Sequence, residues 1–271
     1  MRYKIILSYD GSGFCGWQTQ PDAKTVQECL ENALSTLLKT DISVTGAGRT
    51  DSGVNAVGYV SHFDIDPDEG FDAGLLGYKL NAILPKAVVI HSISAADEDF
   101  HARFSAKQRK YTYFLHRTKD PFADIFSYHC PWALDVGAMN RAASLLVGTH
   151  DFSCFEKTGT DVKTSICTVS EAFWAPYTPQ HASLMGFGTA AGTGAAEPWL
   201  YFRISADRFL RNMVRAVVGT LIDVGRGKRS VGDFAALVLP PAEKGAEKVC
   251  RRSLAGESVP GHALFLSEVE Y

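Results

Sequence analysis

The sequence predicts an α+β protein made of two similar halves, each a mostly antiparallel sheet with helices on one face, and a cleft between the halves. Three observations carry that expectation. Residues 3–94 run in the order βαββαβ, with period-2 alternation in the strands and a helical period between them. From about residue 106 a similar rhythm of elements returns, although no sequence repeat accompanies it. With 46% hydrophobic and 21% charged residues, the 271 positions supply a sizeable core for one large domain or two of ordinary size. The expected division is 1–105, carrying an aspartate turn, and 106–271, carrying a basic strand and an arginine-rich helix.

Each element has its own signal. Residues 3–9, YKIILSY, alternate as a strand does and end at the turn of Asp10 and Gly11. Thr25 with Glu28 three residues on reads as a capping box, and Val26, Leu30, Ala33, Leu34, Leu37 and Leu38 then share one helical face. Strands are expected at 41–47 and 54–63, joined by the glycine-rich GAGRTDSGV. A helix around 72–83 stops before Pro85, and AVVIHSIS at 87–94 reads as a strand. In the second half the expected elements are a strand at 109–116, a helix at 135–147 and strands near 163–174 and 199–205. Helices at 207–224 and 230–239 and a last strand at 264–270 follow. Residues 176–198 are rich in Gly, Ala, Thr and Pro and read as a flexible loop.

Composition excludes several classes. No stretch approaches the roughly 18 apolar residues of a membrane helix. The start, MRYKIILSYDGSG, is not a signal peptide, since Asp10 and Gly11 interrupt a short apolar run. The cysteines at 15, 29, 130, 154, 167 and 250 form no CxxC pair and no Cys/His metal spacing, so reduced cytoplasmic thiols and no structural metal are expected. A net charge of −3 argues against nucleic acid until its distribution is read. Residues 64–72 carry only negative charge, whereas 101–119 hold six Lys/Arg and no acid, and 203–229 hold seven against two Asp. Local fields decide where a polyanion docks.

Three segments could carry chemistry. GAGRTDSGVNAVGYVSHF puts Asp51 on a turn two residues after Arg49, and a nearby guanidinium favours the ionised carboxylate that a nucleophile requires. The structural alternative is a hairpin in which Asp51 and Ser52 bond their own backbone. An aspartic-protease reading fails, because the Asp-Ser-Gly signature occurs once and Arg49 opposes proton sharing. In ADRFLRNMVRAVVGTLIDVGRG, a helix would bury Leu210, Met213, Val214, Val217 and Leu221 and stack Arg208, Arg211 and Arg215 on a neighbouring face. Arg208 and Arg215 have no carboxylate at i±4 and Arg211 has Asp207 alone, so such a column calls for an outside anion: a phosphate, a substrate or Asp51. Otherwise it is a solvated face. FHARFSAKQRKYTYFLHR interleaves Arg103, Lys107, Arg109 and Lys110 with Tyr111, Tyr113 and Phe114, charge and stacking surface suited to an unstacked base. For Tyr113 and Phe114 the expectation is a core-facing role.

Taken together, these segments resemble the tRNA pseudouridine synthase A family, nearly end to end. YDGSGFCGWQTQP with TVQECLENAL is similar to the family's opening, and GAGRTDSGVNAVG to its catalytic segment. DFHARFSAKQRKYTY at 99–113, FLRNMVRAVVGTLIDVGRG at 209–227 and the tail AGESVPGHALFLSEVEY match later blocks in the same order. The resemblance implies isomerisation of uridine to pseudouridine at positions 38 to 40 of the tRNA anticodon arm, without cofactor or metal, by a cytoplasmic homodimer in which one tRNA touches both subunits. It implies Asp51 as the catalytic carboxylate, Arg49 displacing the base, Tyr111 packing on the flipped uracil and Arg215 pairing with Asp51. Arg103, Lys107, Arg109, Lys110, Arg208 and Arg211 are expected to bind the RNA. Asn55 departs from the family's usual histidine, and the tail VPGHALFL from its usual form. Two other readings stand beside this one: a non-catalytic tRNA-binding module, and the same chemistry at other tRNA uridines.

Overall fold

The computed structural model describes residues 1–66, 71–157, 159, 164–185, 198–239 and 250–271. The elements in chain order are β1 (Arg2–Tyr9), α1 (Val26–Leu38), β2 (Thr45–Gly46), β3 (Asn55–Asp64), α2 (Ala73–Ile83), β4 (Val88–Ala96), β5 (Gln108–His116) and β6 (Tyr128–His129). They continue with α3 (Val136–Ser144), β7 (Gly148–Asp151), β8 (Ile166–Pro176), α4 (Gln180–Met185), β9 (Trp199–Ala206), α5 (Met213–Gly225), α6 (Val231–Val238) and β10 (Leu264–Glu270). The chain divides into two units, Met1–Arg109 with Phe265–Tyr271, and Lys110–Leu264. The division thus falls a few residues after the expected 105, and the last strand returns to the first unit. It does so because β10 pairs in parallel with β3, Phe265 opposite Asn55 and Leu266 opposite Ala56.

In the first unit the strands lie in the order β4-β1-β3-β10, with β2 also on β3. The β1–β3 and β1–β4 pairs are antiparallel. Alternation in β1 buries Tyr3, Ile5, Leu7 and Tyr9. Helix α1 buries Val26, Leu30, Ala33 and Leu34, and α2 buries Leu76 and Leu80. The hydroxyl of Thr25 accepts from the Glu28 amide at 3.3 Å, and Asp72 caps α2. A separate cluster of Ala47, Val60 and Ala102 gathers Ile6, Phe100, Val269 and Tyr271.

The second unit orders its strands β5-β9-β8-β7, with β6 parallel to β5. Helix α3 packs on β8 and against α5 and α6. Helix α5 buries 11 of its 13 residues, and Ser230 with Asp233 forms a complete capping box on α6.

Four expectations are corrected. The strand at 41–47 shrinks to β2, because α1 side chains take the backbone groups a neighbouring strand would need. Glu31 accepts the Val44 amide at 2.9 Å, Ser35 accepts that of Ile42 at 2.9 Å, and Gln27 donates to the Val44 carbonyl at 3.0 Å. The helix expected at 207–224 begins only at Met213. Asp207 accepts the amides of Thr168 and Arg208, and Asn212 sits in the left-handed region at φ 65°, which keeps the preceding residues out of the helix. The 176–198 loop contains α4, while its residues 186–197 lie outside the described ones. Finally, the cysteines are not all thiols: Cys154 and Cys250 form a disulfide, and Cys15, Cys29, Cys130 and Cys167 are free. A pair 96 positions apart has no local spacing from which it could be read. Among the described residues, no helix is long and apolar enough to cross a membrane. Nor is any group of three or more His, Cys, Asp or Glu placed to hold a metal ion.

Candidate active site

The segment between β2 and β3 is a tight turn held from beneath by aromatic rings. The amide of Val54 donates to the Asp51 carbonyl at 3.1 Å, closing a turn in which Gly53 has φ 77°. Its fourth side is the loop after β1. Trp17 donates its amide to the Thr50 carbonyl at 3.3 Å, and Gly53 donates to Phe14 at 3.3 Å. Ser52 does not bond its own backbone, as the hairpin alternative supposed; its hydroxyl donates to the Phe14 carbonyl at 3.3 Å. Gly16, at φ 90°, approaches so closely that a Cβ would stand 2.4 Å from the Thr50 oxygen. Only glycine fits there.

Below the turn, Trp17 stacks on Tyr59 with centroids 4.0 Å apart, and Tyr9 lies 5.6 Å from Tyr59. The Tyr59 hydroxyl accepts from the Gly48 amide and donates to the Gly48 carbonyl. Tyr9 and Thr50 share a buried hydroxyl hydrogen bond of 2.9 Å. Asn55 accepts the Gly11 amide at 2.8 Å in a buried position, which gives the unexpected asparagine a structural task. These supports fix the backbone on both sides of Arg49 and Asp51. Asp51 is half-buried and Arg49 exposed. A carboxylate on so constrained a turn is presented with little conformational freedom left to lose on binding. No supporting role for Tyr9, Trp17, Tyr59 or Asn55 is legible in the sequence, because their task is to hold backbone groups that only the folded turn brings to them.

The FHARF segment belongs to the same unit. Arg2 donates to the carbonyls of Glu98 and Phe100 at 2.9 and 2.7 Å. Tyr271 donates to the Ala102 carbonyl at 2.7 Å. His62 accepts the Ala102 amide at 3.1 Å. Burial, with smaller effects from the charges of Arg2 and His101, pulls the pKa of His62 down to about 4. Arg109 is not simply an RNA-facing cation. Its guanidinium donates to the carbonyls of Ala106 at 2.8 Å, Ala47 at 3.1 Å and Arg103, tying this segment to the turn's own strand. Arg103, Phe104 and Lys107 are left exposed.

Lys110, Tyr111, Arg208, Arg211 and Arg215 belong to the second unit. Tyr111 is half-buried and meets Phe209 edge-on at 5.0 Å. Two residues along the strand, Tyr113 is buried and donates to the Pro260 carbonyl at 3.2 Å, and burial raises its pKa well above 10. The core-facing expectation for Tyr113 is met. Arg215 lies in the first turn of α5 and donates from Nε to the Val259 carbonyl at 2.7 Å. Arg208 and Arg211 precede the helix, so the expected column of three arginines does not exist. Arg208 is half-buried and Arg211 exposed.

Comparison with known proteins shows the family of this chain. The sequence model of a family described as tRNA pseudouridine synthase matches residues 5–105 and 142–271. A protein named tRNA pseudouridine synthase A from Porphyromonas gingivalis is 43% identical over 270 residues, covering 100% of this chain and 97% of its own. Its namesake from Bacteroides fragilis is 43% identical over 270 residues, covering 100% and 96%. That from Bacillus subtilis is 40% identical over 275 residues, covering 100% and 99%. The chain belongs to the tRNA pseudouridine synthase family, a family of isomerases.

Proposed function

We propose that this chain isomerises uridine to pseudouridine at positions 38, 39 and 40 of the tRNA anticodon arm, acting as a cytoplasmic homodimer without cofactor or metal. The observation that carries the reading is the Asp51 turn: a half-buried carboxylate whose backbone is clamped by Phe14, Trp17 and Tyr59, in a chain of this family. The uracil must leave C1′, rotate and reattach through carbon, so a base in a duplex stem is first extruded. Arg49, exposed beside the turn, occupies the place of the displaced base. Asp51 then acts on the sugar or base as nucleophile or as proton acceptor. The half-buried ring of Tyr111 holds the detached uracil by stacking, and Arg215 keeps Asp51 charged and oriented. Arg103, Lys107, Lys110, Arg208 and Arg211 meet phosphates, with Arg109 bracing the segment that carries Arg103 and Lys107.

Mapping pseudouridine in total tRNA incubated with the purified protein tests this. Modification at 38–40 is expected, and Asp51→Asn should abolish it while tRNA affinity stays within about threefold. Turnover by Asp51→Asn at about a tenth of the wild-type rate or better would overturn the assignment. Modification at other uridines would move the target, and binding without modification at any uridine would leave a tRNA-binding module.

A further inference from the structure

We propose that the C-terminal end of α5 is a second RNA-docking site, where Arg226 and Trp132 form a ready-made plate for a phosphate and an unstacked base; this rests on tRNA being the substrate. The Arg226 guanidinium carbon lies 3.7 Å from the centroid of the Trp132 ring. Trp132 is 44% exposed, a large apolar side chain left facing solvent. Among the described residues no hydrogen bond or ion pair engages that guanidinium. The plate is held in place on both sides. The Asp135 amide donates to the Gly225 carbonyl at 2.8 Å, and Arg117 donates from Nε to the Trp132 carbonyl at 3.3 Å. The C-terminal end of a helix also favours a cation.

A cleft of about 700 Å³ adjoins it, lined among others by Ala133, Leu134, Asp135, Arg226, Arg229 and Ser230. Asp135, the carboxylate among them, already accepts the Ala138 amide at 2.8 Å and lies 3.9 Å from Arg141. Arg229 donates to the Leu254 carbonyl at 2.7 Å, and Lys228 is exposed beside it. The balance of charge is therefore positive. A guanidinium stacked by its face keeps its N–H edges for two phosphate oxygens, and its fork is ordered before the ligand arrives. Charge next to an indole suits the alternation of phosphate and base in unpaired RNA. An acidic protein partner would have no use for the aromatic face. Along α5, Arg226 stands roughly 16 Å from Arg215 at 1.5 Å per residue, so a single nucleotide does not touch both. The contact grips RNA away from the reacting uridine, and its effect belongs in binding, not in the chemical step.

The test is tRNA binding by the full chain across a salt series, with single-turnover rates at saturating enzyme. Arg226→Gln should weaken binding about 5- to 20-fold at moderate salt and reduce the log–log salt slope by roughly 0.7–0.9. Trp132→Leu should weaken binding severalfold with the slope unchanged, and both variants should keep the single-turnover rate within about twofold. Should Trp132→Leu fail to fold, Arg226→Lys, which keeps the charge and loses the planar stack, should show the same severalfold loss with an unchanged slope. Unchanged affinity and slope in Arg226→Gln would overturn the site, as would a loss of binding traced by light scattering to altered subunit assembly. Because binding is read without turnover, a wild-type protein that binds tRNA but forms no pseudouridine would sink the enzymatic reading and leave the docking site to be decided by the binding data alone.

Discussion

Arg215 and Val259 hold each other twice: the arginine Nε donates to the Val259 carbonyl at 2.7 Å, and the Val259 amide donates to the Arg215 carbonyl at 3.3 Å. A lysine has no donor in mid-chain, so it cannot keep this carbonyl and also present a planar fork to a second acceptor. Arg215→Lys should slow single-turnover pseudouridine formation by roughly 10- to 100-fold, the worth of one charge-assisted hydrogen bond, while tRNA affinity changes little. Arg208→Lys, in the segment before α5, should do little to either. Equal, mild losses in both would show that Arg215 only meets phosphate.

Binding should be electrostatic despite the net charge of −3. Arg103→Glu and Lys107→Glu, both at exposed positions, should each lower the salt slope of tRNA binding by at least roughly 0.7–0.9. Arg109→Glu should behave differently, because its guanidinium serves the carbonyls of Ala47, Arg103 and Ala106. That variant should lose about 2 kcal/mol or more of stability, seen as a lower urea midpoint. An unaltered midpoint would return Arg109 to the RNA-facing set.

Stability should fall in mild acid through His62. Its pKa is about 4 when folded against 6.5 when exposed. Between those values the unfolded chain binds the extra proton, so this contribution is complete above pH 6.5 and is lost as pH falls to about 4. His62→Gln should remove roughly 1–2 kcal/mol of that pH dependence, measured as the wild-type minus variant difference in denaturation free energy. A constant difference across the window would show that His62 does not titrate between the two states.

The bond between Cys154 and Cys250 closes a loop of 96 positions. Reduction should lower the unfolding free energy by roughly 2–4 kcal/mol. Cys154→Ala should show one denaturation midpoint with and without reductant. Coincident midpoints for the wild-type chain would mean that its thiols are not paired.

The sequence by itself determined the elements whose signals are local. Strand β1 follows from YKIILSY because burial alternates with the pleat, and α1 from Thr25 and its apolar stripe because cap and stripe lie within a few residues. The Asp51 turn was legible for the same reason, since its glycines and carboxylate are neighbours in the chain. Tertiary structure decided everything that depends on which distant group claims a backbone amide or carbonyl. Glu31, Ser35 and Gln27 turned most of a predicted strand into an extension of the helix surface. Asp207 and the left-handed Asn212 took Arg208 and Arg211 off the helix on which their spacing alone would place them. Arg109 reads as one more cation in a basic run until Ala47, 62 residues away, accepts its hydrogen bond. Periodicity reports what a segment would do alone, and hydrogen bonds across such separations are set by the competition among segments for the same polar groups.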